Sequence, residues 1–319
     1  MARYLSRTLL GTVPTLLLLL LIVSLLTKLV PGDAVDSMVN QMGGDSGATE
    51  AQRQRLREEL GLTRSIPEQY VAFLRDVGNG SLGHSLYSSQ TVRSLISSRA
   101  LPTIELTVLA LVGSTALGVL TGVVSSVRRN SKLDYLMRLF VLIFLSVPNF
   151  VIAVCVVLLP AFYWGWSPPL QYVPIYEGPT RNLLFFATPV TALAIGLAAS
   201  VARLTRTSTL EVIGMDYVRT ARAKGLTERR IVYRHVLKNS LMPVLTLVGL
   251  QVGFLLSGSI IVEQVFSIPG LGTLLIGSIT QRDWPVVQGL TLISGVVVIS
   301  VSMTVELLYG WFDPRLGAR

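Results

Sequence analysis

The sequence has little charge and almost no cysteine. Its 319 residues include one cysteine, Cys155. That excludes an internal disulfide framework and any multi-cysteine metal site. Charged residues make up 14%, against about 25% in an ordinary soluble domain. The two histidines, His84 and His235, are 151 positions apart in a chain with no H-E-x-x-H or C-x-x-C, so no zinc signature is present. There is no G-x-x-x-x-G-K-[ST], hence no phosphate loop in this chain, and no G-x-S-x-G nucleophile elbow. Intramembrane hydrolysis would need a buried nucleophile beside a base, and no such pair stands out. The catalytic classes are thereby left without residues. Disorder is excluded too, because 51% of residues are hydrophobic.

What the chain does have is long apolar runs. A bilayer core about 30 Å thick needs about 20 apolar residues to cross as a helix. Six stretches meet that length, near 9–30, 104–127, 138–160, 183–202, 243–262 and 286–310. They are too long for strands and lack strict alternation. The expected fold class is an all-α integral membrane protein with six transmembrane helices. The first run is longer than a signal-peptide core, and no small-x-small site follows it, so it reads as an uncleaved helix.

The net charge of +9 reports topology rather than nucleic-acid binding. Arg3 and Arg7 precede the first run. Arg128, Arg129, Lys132 and Arg138 follow the second, nine Lys or Arg follow the fourth, and Arg315 and Arg319 end the chain. The short loops of the other side hold Arg181 and Arg282. Positive loops stay inside, so both termini are expected to be cytoplasmic. The two histidines then fall on opposite sides and cannot share a metal.

Two loops are too long to be plain connectors. Residues 31–100 carry helical signals. Arg53–Leu60 is amphipathic and ends at Gly61. Ser65-Ile66-Pro67-Glu68 reads as an N-cap with proline in the first turn. Asn79-Gly80-Ser81-Leu82-Gly83 is a turn cluster, and Val92, Leu95 and Ile96 form one more amphipathic turn. A small folded cap fits best; a docking surface and a spacer both stay open. The second loop, 203–242, is basic. Asp216 is placed as an N-cap for a helix over Tyr217–Lys224, with Arg222 and Lys224 suiting its C-terminal dipole. Gly225 stands where a left-handed residue is wanted. Thr227 is placed as the cap of a second helix, Glu228–Asn239, with Arg230, Arg234 and Lys238 in one stripe. A surface bracket and a lipid-held interfacial helix are both consistent with this pattern.

Polar residues near membrane depth are few. Glu105 follows Pro102 and is placed in a first helical turn, where the dipole favours an anion; a pathway role is the alternative. Glu263 either lines an outer mouth or caps the next loop. Glu306, near the inner end of the last run, is a candidate partner for an arginine. Gln251 is polar within the fifth run. Gly249, Gly253 and Ser257, four apart, suit either a pore or close packing, and Gly113 and Gly118 thin the second run. The sum is a six-span protein with a structured cap, a basic inner bracket and no energy-converting site. That suggests a transport subunit driven by a separate engine.

The inner loop Asp216-Tyr217-Val218-Arg219-Thr220-Ala221-Arg222-Ala223-Lys224-Gly225-Leu226 resembles the coupling-loop motif of ABC importer permeases, E-A-A-x-x-x-G followed by I-x-L-P. Arg219-Thr220-Ala221 stands at the E-A-A positions and Gly225 at the glycine. His235-Val236-Leu237-Lys238 replaces I-x-L-P, with the proline later at Pro243, as in the dipeptide, oligopeptide and nickel branch. Pro31-Gly32-Asp33, Glu59-Leu60-Gly61-Leu62, Gly80–Ser85, Leu101–Thr107, Glu263–Gly272 and Asp313-Pro314-Arg315 resemble the same branch, in order along the chain, and its first permease subunit in particular. The resemblance implies a type I ABC importer permease fold, with residues 1–30 as the first helix, 31–100 as an extracytoplasmic segment, 101–311 as the transport core and 312–319 as a tail. It implies import of peptides across a bacterial inner membrane with a second homologous permease, two cytoplasmic ATPases holding ATP and Mg, and an external binding protein. No cofactor would sit in this chain. Asp216, Tyr217, Arg219, Thr220, Ala221, Arg222, Lys224 and Gly225 would engage the ATPase; Glu105, Gln251 and Glu263 are pathway candidates. The competing readings are an ion-coupled secondary transporter, which would want midplane acids and an internal repeat, and a non-transporting scaffold, which would need no bracket.

Overall fold

The computed structural model describes residues 2–29, 34–41, 50–60, 62–88, 90–169 and 171–312, with the backbone alone described at 2–10, 26–29, 40–41, 256–258 and 305–312. Pro31-Gly32-Asp33, Gly61 and Asp313-Pro314-Arg315 lie outside the described residues, as do the side chains of Ser257 and Glu306. The helices are α1 (Ala2–Leu29), α2 (Ala34–Gln41), α3 (Glu50–Glu59), α4 (Ile66–Gly78), α5 (Val92–Val127), α6 (Lys132–Ser146) and α7 (Asn149–Trp164). They continue as α8 (Pro179–Ile213), α9 (Asp216–Ala223), α10 (Glu228–Ile231), a π turn (Val232–Val236), α11 (Leu237–Ser240), α12 (Met242–Val265), α13 (Leu271–Gln281) and α14 (Trp284–Phe312). Packing divides the chain into one unit of residues 1–101 with 269–300 and another of 102–268 with 301–319.

Among the described residues three helices are long and apolar enough to cross a membrane, over Val92–Val127, Pro179–Ile213 and Trp284–Thr304, or five if two bent helix pairs each count as one span. One bent pair corrects an expectation. Residues 138–160 are not one helix: α6 and α7 meet at 104°. Pro148 lacks an N–H and pushes the preceding residue out of the α region; Val147 is extended, at φ −91° and ψ 125°. A second correction concerns α5. The amphipathic turn at Val92–Ile96 and the run from 104 form one continuous helix of 36 residues through Pro102. Proline there removes one backbone donor, while Val92 and Ile96 are buried with Val286 and Leu290, and that burial holds the early turns helical.

In the first unit, the described residues between 34 and 88 fold rather than merely connect. Ala34 and Val35 of α2 are buried, and α2 packs on α13. Asp36 accepts from Arg57 at 3.2 Å, tying α3 to α2. Ser65 precedes α4 as expected, and Glu68 accepts its backbone N–H at 2.9 Å. That bond holds the Glu68 carboxyl below its ordinary pKa. The Tyr70 hydroxyl donates to the Leu17 carbonyl of α1 at 2.9 Å. Gly80 and Gly83 take positive φ, as the turn cluster requires. The following Ser85 hydroxyl and Leu86 N–H both donate to the carboxylate of Asp283, just before α14.

In the second unit α8 is the spine, packing against α6, α7, α11 and α12. Its core joins Leu106, Ile152, Phe186, Leu193, Leu197 and Leu255. Close approach of α5 to α8 needs glycine: a β-carbon at Gly122 would lie 2.6 Å from the Ala202 carbonyl oxygen, and one at Gly118 would meet Val201. Gly196 likewise leaves room for the Asn149 side chain at the start of α7. Gly249 and Gly253 are half-buried.

Candidate functional site

The segment expected to be a basic loop from 203 begins as helix: α8 runs to Ile213. Gly214 then breaks the chain, and Met215, in extended geometry, stands at the N-cap of α9. Asp216 is therefore the first helical residue and not the cap. Its exposed carboxylate lies 3.6 Å from Arg219, one turn on, where an acid suits the helix N-terminus. Val218 and Ala221 point inward and are buried with Val212, Ile231 and Val236. Asp216, Tyr217, Arg219, Thr220, Arg222 and Lys224 stay exposed.

The C-terminus of α9 closes tightly. Gly225 has φ +77°; its N–H bonds the Arg222 carbonyl at 2.9 Å, and the Leu226 N–H bonds the Ala221 carbonyl at 3.3 Å. This is the double bond of a left-handed helix stop, which favours glycine. Two side-chain ties then fasten α9 to the helical turns after it. Arg222 does not serve as a free cap of the helix dipole. It grips Glu228 through Nε at 2.6 Å and Nη2 at 3.2 Å. The pair raises the Arg222 pKa and lowers that of Glu228. The Tyr217 hydroxyl donates to the His235 carbonyl at 3.2 Å and accepts from Asn239 Nδ2 at 2.8 Å.

The second helix, expected over Glu228–Asn239, is interrupted. Thr227 precedes it without a side-chain cap bond, and Val232–Val236 is a π turn. The buried pair Ile231 and Val236 explains the turn. Five residues of α-helix would rotate Val236 about 140° from Ile231. A turn widened by one residue returns both to the inner face. Arg230, Arg234 and Lys238 remain exposed. The apolar face is thus consumed by packing on α8 and α9, in contrast to the lipid-held interfacial helix.

The polar candidates separate. Glu105 lies more than three turns inside α5, so the helix dipole does not hold it. Instead it is buried and accepts from Tyr172 Oη at 3.0 Å, Asn182 Nδ2 at 2.8 Å and the Ile175 N–H at 3.1 Å. Burial, and then the bond to Glu105, pushes the Tyr172 hydroxyl pKa up, so it stays a donor. Glu263 is fully buried and accepts from Thr103 Oγ1 at 2.7 Å. Its backbone carbonyl takes the Ile268 N–H at 2.8 Å, past Ser267 at φ 52°. The Glu105 carboxylate therefore fastens the loop before α8, and that of Glu263 ties α12 to α5. Gln251 lines a cleft of about 440 Å³ with Phe144, Pro148, Asn149, Ser200 and Leu250. Its Nε2 donates to the Leu197 carbonyl and Ser200 Oγ, each at 3.2 Å, and its buried Oε1 has no hydrogen-bond partner.

One centre escaped the sequence reading. Asp134, fully buried in α6, takes Arg206 Nε at 3.0 Å and Nη2 at 3.1 Å, Ser125 Oγ at 2.5 Å and the Asn130 N–H at 3.0 Å. The signal was present: Ser131 caps α6, and Asp134 is the acid three residues on. Arg128, Arg129, Lys132 and Arg138 look like one basic loop in the sequence, yet Lys132 and Arg138 lie in α6. Among the described residues no group of three or more His, Cys, Asp or Glu could hold a metal ion.

Residues 114–318 match the family described as the binding-protein-dependent transport system inner membrane component, and residues 1–107 match the N-terminal membrane component of the same system. The chain belongs to this family. A peptide permease protein of Brucella suis biovar 1 is 40% identical over 99% of both chains. The glutathione transport system permease protein of Pectobacterium atrosepticum is 36% identical over 99% of both. Among solved structures, an inward-facing methionine ABC transporter shares the fold at TM-score 0.57 and 19% identity, covering 69% of this chain and 96% of that one. An amino acid ABC transporter does so at 0.52 and 21%, covering 68% and 94%. This family member is a multi-pass, all-helical permease subunit of an ABC importer. It is a transport component and not an enzyme, with ATP hydrolysis on separate subunits.

Proposed function

We propose that this permease imports peptides, forming half of a pathway with a second homologous permease. Its relatives carry peptide and glutathione permease names along nearly their whole lengths, which supports that substrate class. In this reading the chain crosses a bacterial inner membrane six times, with both termini in the cytoplasm. Added to the three long helices, the α6–α7 pair, the bent pair that contains α12, and α1 complete the count. The 31–100 segment faces outward and receives the loaded binding protein; 101–311 is the transport core, and 312–319 a cytoplasmic tail.

The observation that carries the mechanism is the braced α9. An exposed basic face on a helix fixed by Gly225, the Arg222–Glu228 pair and Tyr217 can pass rigid-body motion to α8; a loose loop would absorb it. Asp216, Arg219, Thr220 and Lys224 meet one of two cytoplasmic ATPases, which hold ATP and Mg. Ala221 and Arg222 act from behind, through packing and the brace. ATP binding then favours one pathway state through its differential contacts. Of the three polar candidates, Gln251 serves the pathway, since it lines a cleft with an unpaired Oε1. Glu105 holds the loop before α8, and Glu263 holds α12 to α5.

The test is ATP-dependent uptake of a labelled tripeptide into proteoliposomes holding the assembled transporter. Gly225→Pro forbids the +77° turn. It should leave the chain inserted and abolish uptake while ATP hydrolysis continues; unchanged uptake would remove the coupling role from α9.

A further inference from the structure

We propose that Arg138 of α6 with Arg203 and Arg206 of α8, beside the C-terminal turns of α5, form a binding site for the phosphate headgroup of an anionic phospholipid. A cleft of about 180 Å³ opens there, lined by Arg203 and Arg206 of α8 and by Arg138, Met137, Val141 and Leu142 of α6. The charges do not balance. The carboxylate of Asp134 takes two bonds from Arg206 and lies 3.6 Å from Arg138. One carboxylate therefore serves two guanidinium groups, while among the described residues Arg203 has no carboxylate partner. Two positive charges are left over. The Arg138 Nε is buried with no hydrogen-bond acceptor, although a buried donor ordinarily has one. Guanidinium groups match phosphate oxygens bidentately, so a phosphodiester would supply both the missing acceptor and the missing charge.

The apolar side of the cleft selects a lipid over free phosphate. Leu142 and Leu139 of α6 are exposed, and Val141 and Met137 continue the strip into the cleft. An acyl chain covers that strip while its headgroup reaches the arginines, which lie about two to three turns from the Lys132 end of α6 and the Ile213 end of α8. Basic pockets between membrane helices are suited to anionic headgroups. The site requires only that these helices stand in a bilayer, whichever leaflet they face.

Native mass spectrometry of the delipidated transporter in mild detergent, titrated with phosphatidylglycerol, phosphatidylethanolamine and inorganic phosphate in turn, tests the site. The expected result is selective retention of phosphatidylglycerol. Arg203→Gln, which breaks no internal pair, should weaken it about fivefold, and the Arg138→Gln/Arg203→Gln double variant about 25-fold. Arg230→Gln/Arg234→Gln, on the exposed face of the bracket, should leave retention unchanged. Equal retention by the Arg203→Gln protein and the wild type overturns the site. So does inorganic phosphate that binds as tightly as the lipid. Loss of a neighbouring subunit from the double variant, with lipid retention intact, would overturn it by giving the arginines a carboxylate of another chain.

Discussion

Two acid–arginine pairs differ in where they stand. Arg222–Glu228 is exposed, joins residues six apart and follows a legible helix–glycine–helix pattern. Asp134–Arg206 joins residues 72 apart, and its carboxylate is fully buried. An exposed pair is screened and contributes at most about 1 kcal/mol. A buried pair adds little over an apolar replacement, yet removing one partner strands the other charge at a cost of about 3–5 kcal/mol. The exposed pair therefore tunes the geometry of α9, while the buried one makes α6–α8 packing sensitive to the loss of either partner alone.

The sharpest way to break the contrast is Asp134→Ala, which leaves Arg206 without its carboxylate. Thermal unfolding in detergent should fall by an amount equivalent to about 3–5 kcal/mol, and Asp134→Ala/Arg206→Met should recover much of it. Equal stability of Asp134→Ala and wild type would show the pair to be dispensable. Next comes Gly122→Leu. It forces a side chain against the Ala202 carbonyl and Thr205, and should cost about 1–3 kcal/mol with α5–α8 separation measurable by spin-label distances.

On the exposed side, Tyr217→Phe removes a hydroxyl that bonds both His235 and Asn239. The expected loss is about 1 kcal/mol, read as lower uptake per ATP hydrolysed at unchanged assembly. The smallest effect belongs to the Arg222–Glu228 brace. Glu228 has a lowered pKa in the folded protein, so its contribution is present above the ordinary value of 4.5 and fades as pH falls through the lowered one. The protection of the Leu226 amide, taken relative to its intrinsic exchange rate at each pH, should fall in that acid window and in high salt, and Glu228→Gln should remove both dependences. Reversal of Arg222 to Glu breaks this brace first, so any loss of ATPase association it causes has to be compared with Glu228→Gln.

Much of the fold was legible because its signals are local. Apolar length located three long apolar helices, Ser65 and Pro67 the start of α4, Gly80 and Gly83 the turn, and Gly225 the end of α9. Pro148 marks the α6–α7 elbow, which apolar length alone hides by making 138–160 one continuous run. The π turn was hidden for another reason: a wide turn forms only when Ile231 and Val236 must share one buried face.

The candidate site divided in the same way. The outward residues of α9 follow from spacing along a short helix. Glu105 could be recognised as an unusual acid, but its partners Tyr172, Ile175 and Asn182 are 67 to 77 positions away.

The sequence by itself determined the membrane class, the basic bracket and the helix stops, since hydropathy, charge and backbone preference act over a few residues. The tertiary structure alone decided which charges are paired and which are left over. Asp134, Arg138, Arg203 and Arg206 meet only when α6 packs on α8, and the strength of a charge interaction depends on the distance and dielectric that this packing creates.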